Sequence, residues 1–162
     1  MTSRQDHDEL VEELLTASRA LVAIAIRSIA AAPVEVTVAQ HRVLVLLAAH
    51  GPQSVGEVAE HLGVNPSNAS RHADRLQRMG LVERVRSTED GRVVRIELTQ
   101  PGRRLLDVVT QHRREELEGL AARLPQRDAA ALQSALRQLN VAMQEPADGR
   151  WGSAEVGAGA RR

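Results

Sequence analysis

The stretch of residues 54–98 constrains the fold of this chain more than any other part of the sequence. Ser54 and Glu57 form the S-x-x-E pattern of a capping box, which marks the start of a helix. Gly63 can adopt the left-handed backbone conformation that a sharp turn requires, and Asn65 can cap the helix that follows. The sequence therefore predicts two helices joined by a tight turn.

The second of these helices, over residues 66–79, has one apolar side and one polar side. At 100° per residue, Ala69, Ala73 and Leu76 share one side of the helix. Polar side chains occupy the opposite side and its flanks: Ser67, Asn68, Arg71, Asp74, Arg75 and Arg78. One side can pack in a core while the other is free to contact a polar partner.

A hairpin is predicted directly after this helix. Residues 82–87 and 93–98 alternate apolar and charged side chains, which is typical of half-buried strands. The residues between them are turn formers and include Asp90, Gly91 and Arg92. The hairpin, or wing, would lie beside the helix-turn-helix and extend its polar surface.

Four further helices are predicted before and after this stretch, since apolar residues recur there at spacings of three and four. They are predicted over residues 8–31, 37–50, 102–124 and 127–145. Prolines, glycines and hydroxyl caps mark their boundaries: Pro33, Thr37, Gly51, Thr99 and Pro125. From Pro146 the composition turns to Gly, Ala, Ser and Arg, and we expect a disordered tail.

The predicted fold class is mainly α with a small β-wing (α+β). We expect a winged helix-turn-helix DNA-binding lobe over residues 35–100, dimerisation helices over 1–34 and 101–145, and a tail over 146–162. The helices outside the winged lobe carry more apolar surface than one chain would bury, which favours a homodimer. The alternative is that their apolar seams pack only within one chain.

Arginine is concentrated in the helix-turn-helix and the hairpin. The formal net charge of the chain is zero, yet residues 65–104 hold nine arginines against five acidic residues. Residues 1–64 hold four arginines against eight acidic residues. Locally concentrated positive charge is typical of a nucleic-acid contact. The alternatives are a solvated basic face on a packing motif, or a winged-helix module that docks proteins without specific DNA binding.

These features predict a protein that reads duplex DNA with two elements. The second helix would enter the major groove, where Asn contacts base edges and Arg can fork onto guanine. The wing would insert Arg92, oriented by Asp90, into the adjacent minor groove. The predicted DNA-binding residues are Ser67, Asn68, Ser70, Arg71 and Arg75 on the helix, Arg84 and Arg86 against flanking phosphates, and Asp90 and Arg92 on the wing. In a two-fold dimer they predict a pseudo-palindromic site.

Composition excludes several other classes of protein. The chain has no cysteine, which excludes disulfides, thiolate zinc sites and thiol oxidation. It contains no nucleophile–base arrangement and no phosphate-binding glycine loop, so we expect neither an enzyme nor a cofactor. No apolar run reaches the roughly 18 residues that span a bilayer, and no export signal is visible. We expect a cytoplasmic protein without a membrane partner.

The motifs of the central stretch resemble those of the MarR family of winged-helix transcriptional regulators. Ser70 and Arg71 match the TR pair of that family's recognition helix, and Arg75 with Leu76 matches its RL pair. The segments GLVER, DGR and LTQPG match its strand entry, its wing and the start of its long helix. The resemblance covers about residues 8–145, including the order of six helices around one wing.

This resemblance implies an obligate homodimer whose N-terminal helix and two C-terminal helices form the dimer lobe. It also implies a transcriptional regulator, usually a repressor, that a phenolic or lipophilic small molecule releases from DNA. The chain lacks the cysteine of peroxide-sensing members and has no Phe or Tyr to line a phenolic pocket. The resemblance therefore does not identify the effector.

His41 and His112 are the candidate effector-binding residues. They lie roughly where zinc-sensing members of the family place ligands, which leaves a zinc-responsive regulator as an alternative. A zinc site needs three or four donors, and beyond Glu35, Asp107 and Glu116 the sequence offers no obvious others. The preferred interpretation has no metal and both histidines hydrogen-bonded locally. Protonation of histidines between pH 5 and 7 is a further possible signal.

Overall fold

The computed structural model of the protein describes residues 4–86 and 93–146. Its elements are α1 (Arg4–Ala30), α2 (Val38–His50), α3 (Val55–Leu62), α4 (Pro66–Arg78), β1 (Val82–Arg86), β2 (Val94–Leu98), α5 (Gln100–Ala121) and α6 (Gln126–Ala142). This order confirms the predicted fold class. None of the helices in the described ranges combines the length and the apolar character needed to cross a bilayer. The predicted wing-tip residues Asp90 and Arg92 and the tail residues 147–162 lie outside the described residues.

The predicted capping boxes are present at the starts of α2 and α3. Thr37 Oγ1 accepts a hydrogen bond from the Gln40 N–H at 3.2 Å, and the Gln40 side chain accepts one from the Thr37 N–H at 2.9 Å. The Ser54 N–H donates to the Glu57 carboxylate at 2.7 Å. Each reciprocal pair satisfies N–H groups that the first helical turn would leave unpaired.

The hydrophobic core lies where α2, α3, α4 and the hairpin meet the first turns of α5. Its most deeply buried large side chains are aliphatic: Val43, Leu44, Val58, Val82, Leu76, Ile96, Leu105, Leu106 and Val109. Ala69, Ala73 and Leu76 bring the apolar side of α4 into this core, as predicted. Because α4 is fixed by this side, its polar side is held in a defined orientation.

The hairpin pairs in antiparallel register, with Val82 opposite Leu98 and Arg84 opposite Ile96. Gln53 adds a bridge on the other side of β2. Its N–H donates to the Ile96 carbonyl at 3.0 Å, and its carbonyl accepts from the Ile96 N–H at 2.7 Å. The sequence does not predict this bridge. A single residue before α3 forms it, and one residue shows no alternating pattern of a strand. The bridge attaches the wing to the start of α3.

Gly102 allows α5 to start directly against the hairpin. A Cβ atom at this position would collide with the carbonyl oxygen of Leu81 and with a methyl group of Leu98. Thr99 caps α5 and donates its hydroxyl to the Gly80 carbonyl at 2.7 Å. The first turn of α5 and the turn that ends α4 are therefore held together.

The helices predicted for dimerisation leave most of their apolar side chains uncovered within the chain. In α1 only Ile24, Ser28 and Ile29 are buried within the single chain. None of the α6 residues is buried. The exposed apolar side chains of these two helices include Leu10, Val11, Leu14, Leu15, Leu21, Val22, Ile26, Leu132 and Leu136.

The end of α6 differs from the prediction, which extended it to residue 145. The helix ends at Ala142, and Gln144 adopts a positive φ of 53°. The Glu145 N–H then donates to the Asn140 carbonyl at 3.1 Å, which turns the chain away from the helix axis. This turn brings the Glu145 carboxylate to Arg42 of α2, with an Nη2–Oε2 distance of 2.7 Å.

Candidate nucleic-acid interface

The N-terminal end of α4 carries a hydrogen-bonded polar network. Asn65 Oδ1 accepts hydrogen bonds from the Asn68 N–H at 2.9 Å and from the Ser67 hydroxyl at 2.7 Å. The Asn68 side-chain oxygen accepts a hydrogen bond from Arg71. Ser67 and Arg71 are exposed, and Asn68 is half-buried. The structure thus brings together three of the predicted base-reading residues on one accessible surface, which we call the α4 network.

The remaining predicted residues of α4 differ in exposure. Arg75 is exposed, whereas Ser70 is half-buried at the side of the helix. Arg78 lies at the last turn, where its Nε donates to the Asp74 carbonyl at 3.4 Å. The free N–H groups and the dipole at the start of a helix favour anions. Together with Arg71 and Arg75, they make this face of α4 suited to a polyanion.

Arg84, predicted to contact a flanking phosphate, is engaged within the protein. Its Nη2 atom donates to Asp74 Oδ1 at 2.7 Å. The pair joins the middle of β1 to the outer side of α4. Sequence analysis placed Asp74 on this outer side but did not connect it to Arg84, because their pairing depends on how the hairpin folds back. Arg86 lies at the end of β1 and is exposed, as a phosphate contact requires.

Arg95 is a further positive residue of the hairpin that sequence analysis did not single out. Its Nη1 atom donates to the Pro52 carbonyl at 3.1 Å and lies 3.4 Å from Glu57 Oε2. Hydrogen bonding from Ser54 lowers the pKa of Glu57, and the charge of Arg95 lowers it further. Arg95 therefore fixes β2 to the start of α3. No local pattern links residues so far apart in sequence.

His41 of α2 is buried, with 6% of its surface exposed. Burial lowers the pKa of His41 to about 4, and the positive charges of Arg113 and Arg42 contribute to the decrease. The Nε2 atom is buried and has no hydrogen-bond partner among the described residues. The expectation that His41 is hydrogen-bonded locally is therefore wrong for this nitrogen. At neutral pH the ring is uncharged.

Arg113 of α5 is near enough to His41 to lower its pKa, and it lines a cavity at the junction of α1 and α5. Its Nε donates to the hydroxyl of buried Ser28 at 3.3 Å. Within the described part of the chain, no carboxylate forms an ion pair with it. The cavity has a volume of about 470 Å³ and is lined by Leu21, Val22, Ile24, Ala25, Arg113, Leu117 and Glu145. A half-buried guanidinium thus faces a largely aliphatic cavity.

The structure does not bring His41 and His112 into one metal site. His112 is exposed on α5, and neither histidine lines the Arg113 cavity. Glu116, a possible ligand in the sequence, is paired with Arg27 at an Nε–Oε2 distance of 3.0 Å. Across residues 4–86 and 93–146, no group of three or more His, Asp or Glu side chains is placed to hold a metal ion.

Comparison with known proteins identifies the family. The model of the MarR family matches residues 36–94, from the end of the α1–α2 connection to the start of β2. The crystal structure of RV1404 from Mycobacterium tuberculosis is 35% identical, covers 91% of this chain and is itself covered completely, with a TM-score of 0.83. This chain belongs to the MarR family. The match confirms the resemblance found in the sequence and the prediction of a regulator rather than an enzyme.

Two other MarR comparisons show how far the similarity extends. A MarR family protein from Bacillus stearothermophilus is 26% identical over 90% of this chain and all of its own, with a TM-score of 0.80. The HTH-type transcriptional repressor MdtR of Bacillus subtilis is 43% identical over 67 residues, which is 41% of this chain and 43% of MdtR. The chain spans less than half the length of the first curated relatives it matches. The strongest sequence identity is therefore local.

Proposed function

We propose that this chain is a homodimeric, sequence-specific DNA-binding repressor that a small-molecule effector releases from DNA. The observation that carries the proposal is the α4 network, in which Ser67 and the Asn68 N–H bond the Asn65 side chain and Arg71 bonds the Asn68 side chain on one accessible surface. The buried side of α4 holds this network in a fixed orientation on the lobe. The similarity to MdtR, which is named as a transcriptional repressor, supports repression over activation.

The homodimer is supported by the uncovered apolar surface of α1 and α6. Leu132 and Leu136 of α6 are 41% and 44% exposed, and no residue of this helix is buried within the chain. Contiguous exposed apolar surface of this kind marks a protein interface. A second copy of the chain is the partner that can cover the same helices on both sides by two-fold symmetry.

The arrangement on DNA follows from the dimer. The start of each α4 would enter the major groove, with Arg71 and Asn68 towards base edges and Ser67, Ser70 and Arg75 beside them. Arg86 would contact a flanking phosphate, and the sequence places Asp90 and Arg92 at the minor groove. Two such lobes related by a two-fold axis would bind a pseudo-palindrome with half-sites about one helical turn apart.

Footprinting on the DNA that flanks the protein's own gene tests this proposal. We expect protection of a pseudo-palindromic site and binding that weakens steeply as salt rises, because phosphate contacts release counterions. Equal affinity for this DNA and for random duplex at moderate salt would contradict specific recognition. A binding that does not depend on salt would instead favour the winged-helix module that docks proteins.

Replacing Arg71 with alanine should weaken binding to the specific site by about 1–3 kcal/mol, the range for loss of one good base contact. The loss should be much smaller on random duplex, because a base contact is not made there. Arg127→Ala is the matched control, since its side chain is 86% exposed on α6, away from the winged lobe. Equal losses on specific and random DNA would assign Arg71 to phosphate rather than to bases.

We further propose that the effector is a lipophilic anion that binds the cavity at Arg113. The aliphatic wall formed by Leu21, Val22, Ile24 and Leu117 suits a hydrocarbon chain or ring. Arg113 supplies a positive charge that is paired with no described carboxylate, since Glu145 is engaged by Arg42. Because the cavity lies against α1 and α5 beside His41 of α2, an occupant there could change the position of the winged lobe.

Octanoate is a suitable probe for this cavity, with uncharged octanol as its control. We expect saturating octanoate to weaken DNA binding of the wild type by about 5–150-fold, the usual range of allosteric coupling. Arg113→Gln should abolish the response, whereas Arg114→Gln, which changes the exposed neighbour on α5, should retain it. An equal response to octanol, or an unchanged response in Arg113→Gln, would refute an anion site at Arg113.

A further inference from the structure

Asp74 is an acidic side chain on the outer side of a helix whose other charged outer residues are arginines. The side chains of Asp74 and Arg84 remain 47% and 35% exposed, although they are paired at 2.7 Å. The pair therefore lies at the surface that the proposed function turns towards DNA. An unpaired carboxylate at this position would be repelled by phosphates, and an unpaired Arg84 would attract them.

The pair also links the two elements that contact different grooves. Arg84 is central in β1, opposite Ile96 of β2, and Ile96 is completely buried. Asp74 is held on α4, between the buried residues Ala73 and Leu76. Since both backbones are anchored in the core, the ion pair can form with little rearrangement. It directs the guanidinium of Arg84 towards α4.

We propose that Asp74 withholds Arg84 from the DNA backbone and so limits the sequence-independent part of the affinity for DNA. This inference rests on the proposed function, because it concerns how a DNA-reading surface is tuned. Each phosphate that an arginine contacts adds sequence-independent affinity and steepens the salt dependence. With Arg84 committed to Asp74, every duplex is bound through fewer phosphates. The affinity is therefore lower and less dependent on salt than the number of arginines on this surface would give.

The test measures DNA affinity against salt concentration for the wild type, Asp74→Asn, Arg84→Ala and the double variant. Asp74→Asn keeps the shape of the side chain and removes its charge. We expect it to steepen the slope of log affinity against log salt by about 0.9 per subunit, or about 1.8 for the dimer. We expect its affinity for specific and for random DNA to rise by a similar factor at low salt, because the added phosphate contact is made on both duplexes.

Two variants make the role of Arg84 explicit. Arg84→Ala alone leaves the Asp74 carboxylate unpaired and should weaken binding to both duplexes by repulsion of phosphates. The double variant removes both charges and should return the steepened slope of Asp74→Asn to the wild-type value. Asp74→Glu, which retains the charge, should keep the wild-type slope. Thermal unfolding of each variant separates changes in the surface from changes in folding.

Other outcomes would overturn the inference. A double variant with a slope shallower than that of the wild type would show that Arg84 contacts phosphate in the wild-type complex. A steep slope that persists in the double variant would assign the effect to the charge of Asp74 itself. If the wild type shows no preference for any sequence, the proposed function fails, yet the slopes on random duplex still report whether Asp74 withholds Arg84.

Discussion

Replacing Leu136 with glutamate is expected to convert the proposed homodimer into monomers and to weaken binding to a two-half-site operator by about 10²–10⁴-fold. Leu136 is exposed within the single chain, on a helix that buries none of its residues there. A carboxylate at this position would have to lose its water when a second copy covers α6. Without the dimer, the two half-sites are bound independently and the gain from linking them is lost.

Sedimentation measures the mass of the variant, and gel shift measures its affinity for the operator. Gln138→Glu is the matched control, because it places the same charge on α6 about 160° away from Leu136 around the helix. This control should stay dimeric and bind DNA normally. A dimeric Leu136→Glu variant would mean that α6 lies outside the interface, and a monomer with unchanged affinity would mean that DNA binding does not require the dimer.

Lowering the pH from 7 to 4 is expected to remove on the order of 3 kcal/mol of folding free energy per subunit through His41 alone. Burial, aided by Arg113 and Arg42, holds the pKa of His41 at about 4 in the folded chain, compared with 6.5 for an unperturbed histidine. Between these values the unfolded chain binds the proton and the folded chain does not. The stabilisation is therefore complete above about pH 6.5 and is lost as the pH falls towards 4.

Urea unfolding at several pH values, at a constant subunit concentration, measures this loss. His41→Gln should have a flatter profile between pH 6.5 and 4, whereas His112→Gln, which changes an exposed histidine of α5, should follow the wild type. Parallel profiles for His41→Gln and the wild type would show that His41 does not titrate as its burial requires. If His41→Gln does not fold, an NMR titration of the His41 ring in the wild type gives its pKa directly.

Local chemistry made much of this fold predictable. The capping boxes at Thr37 and Ser54 and the left-handed Gly63 depend on residues within one turn of each other, and all three are present in the structure. The apolar side of α4 was predictable from helical periodicity, because the spacing of Ala69, Ala73 and Leu76 places them on one face. The α4 network was predictable as a set of exposed residues, although its hydrogen bonds were not.

Contacts between distant segments escaped prediction. The sequence predicts a phosphate contact for Arg84, because no local pattern pairs an arginine of β1 with another side chain. Its pairing with Asp74 depends on the angle between the hairpin and α4, which the core sets. In the same way, His112 matched a family position but lies on the surface, while Arg113, its neighbour in sequence, faces the cavity. One residue of displacement along a helix turns a side chain by 100°.

Caps, turns and periodicity act between near neighbours, so the order of helices and strands, the polar side of α4 and the winged-helix class follow from local sequence patterns. The pairing of Asp74 with Arg84, the position of Arg113 at an aliphatic cavity and the burial of an uncharged His41 follow from packing. These features depend on burial and on the relative placement of elements. Such placement arises when the core packs, and no local pattern encodes it.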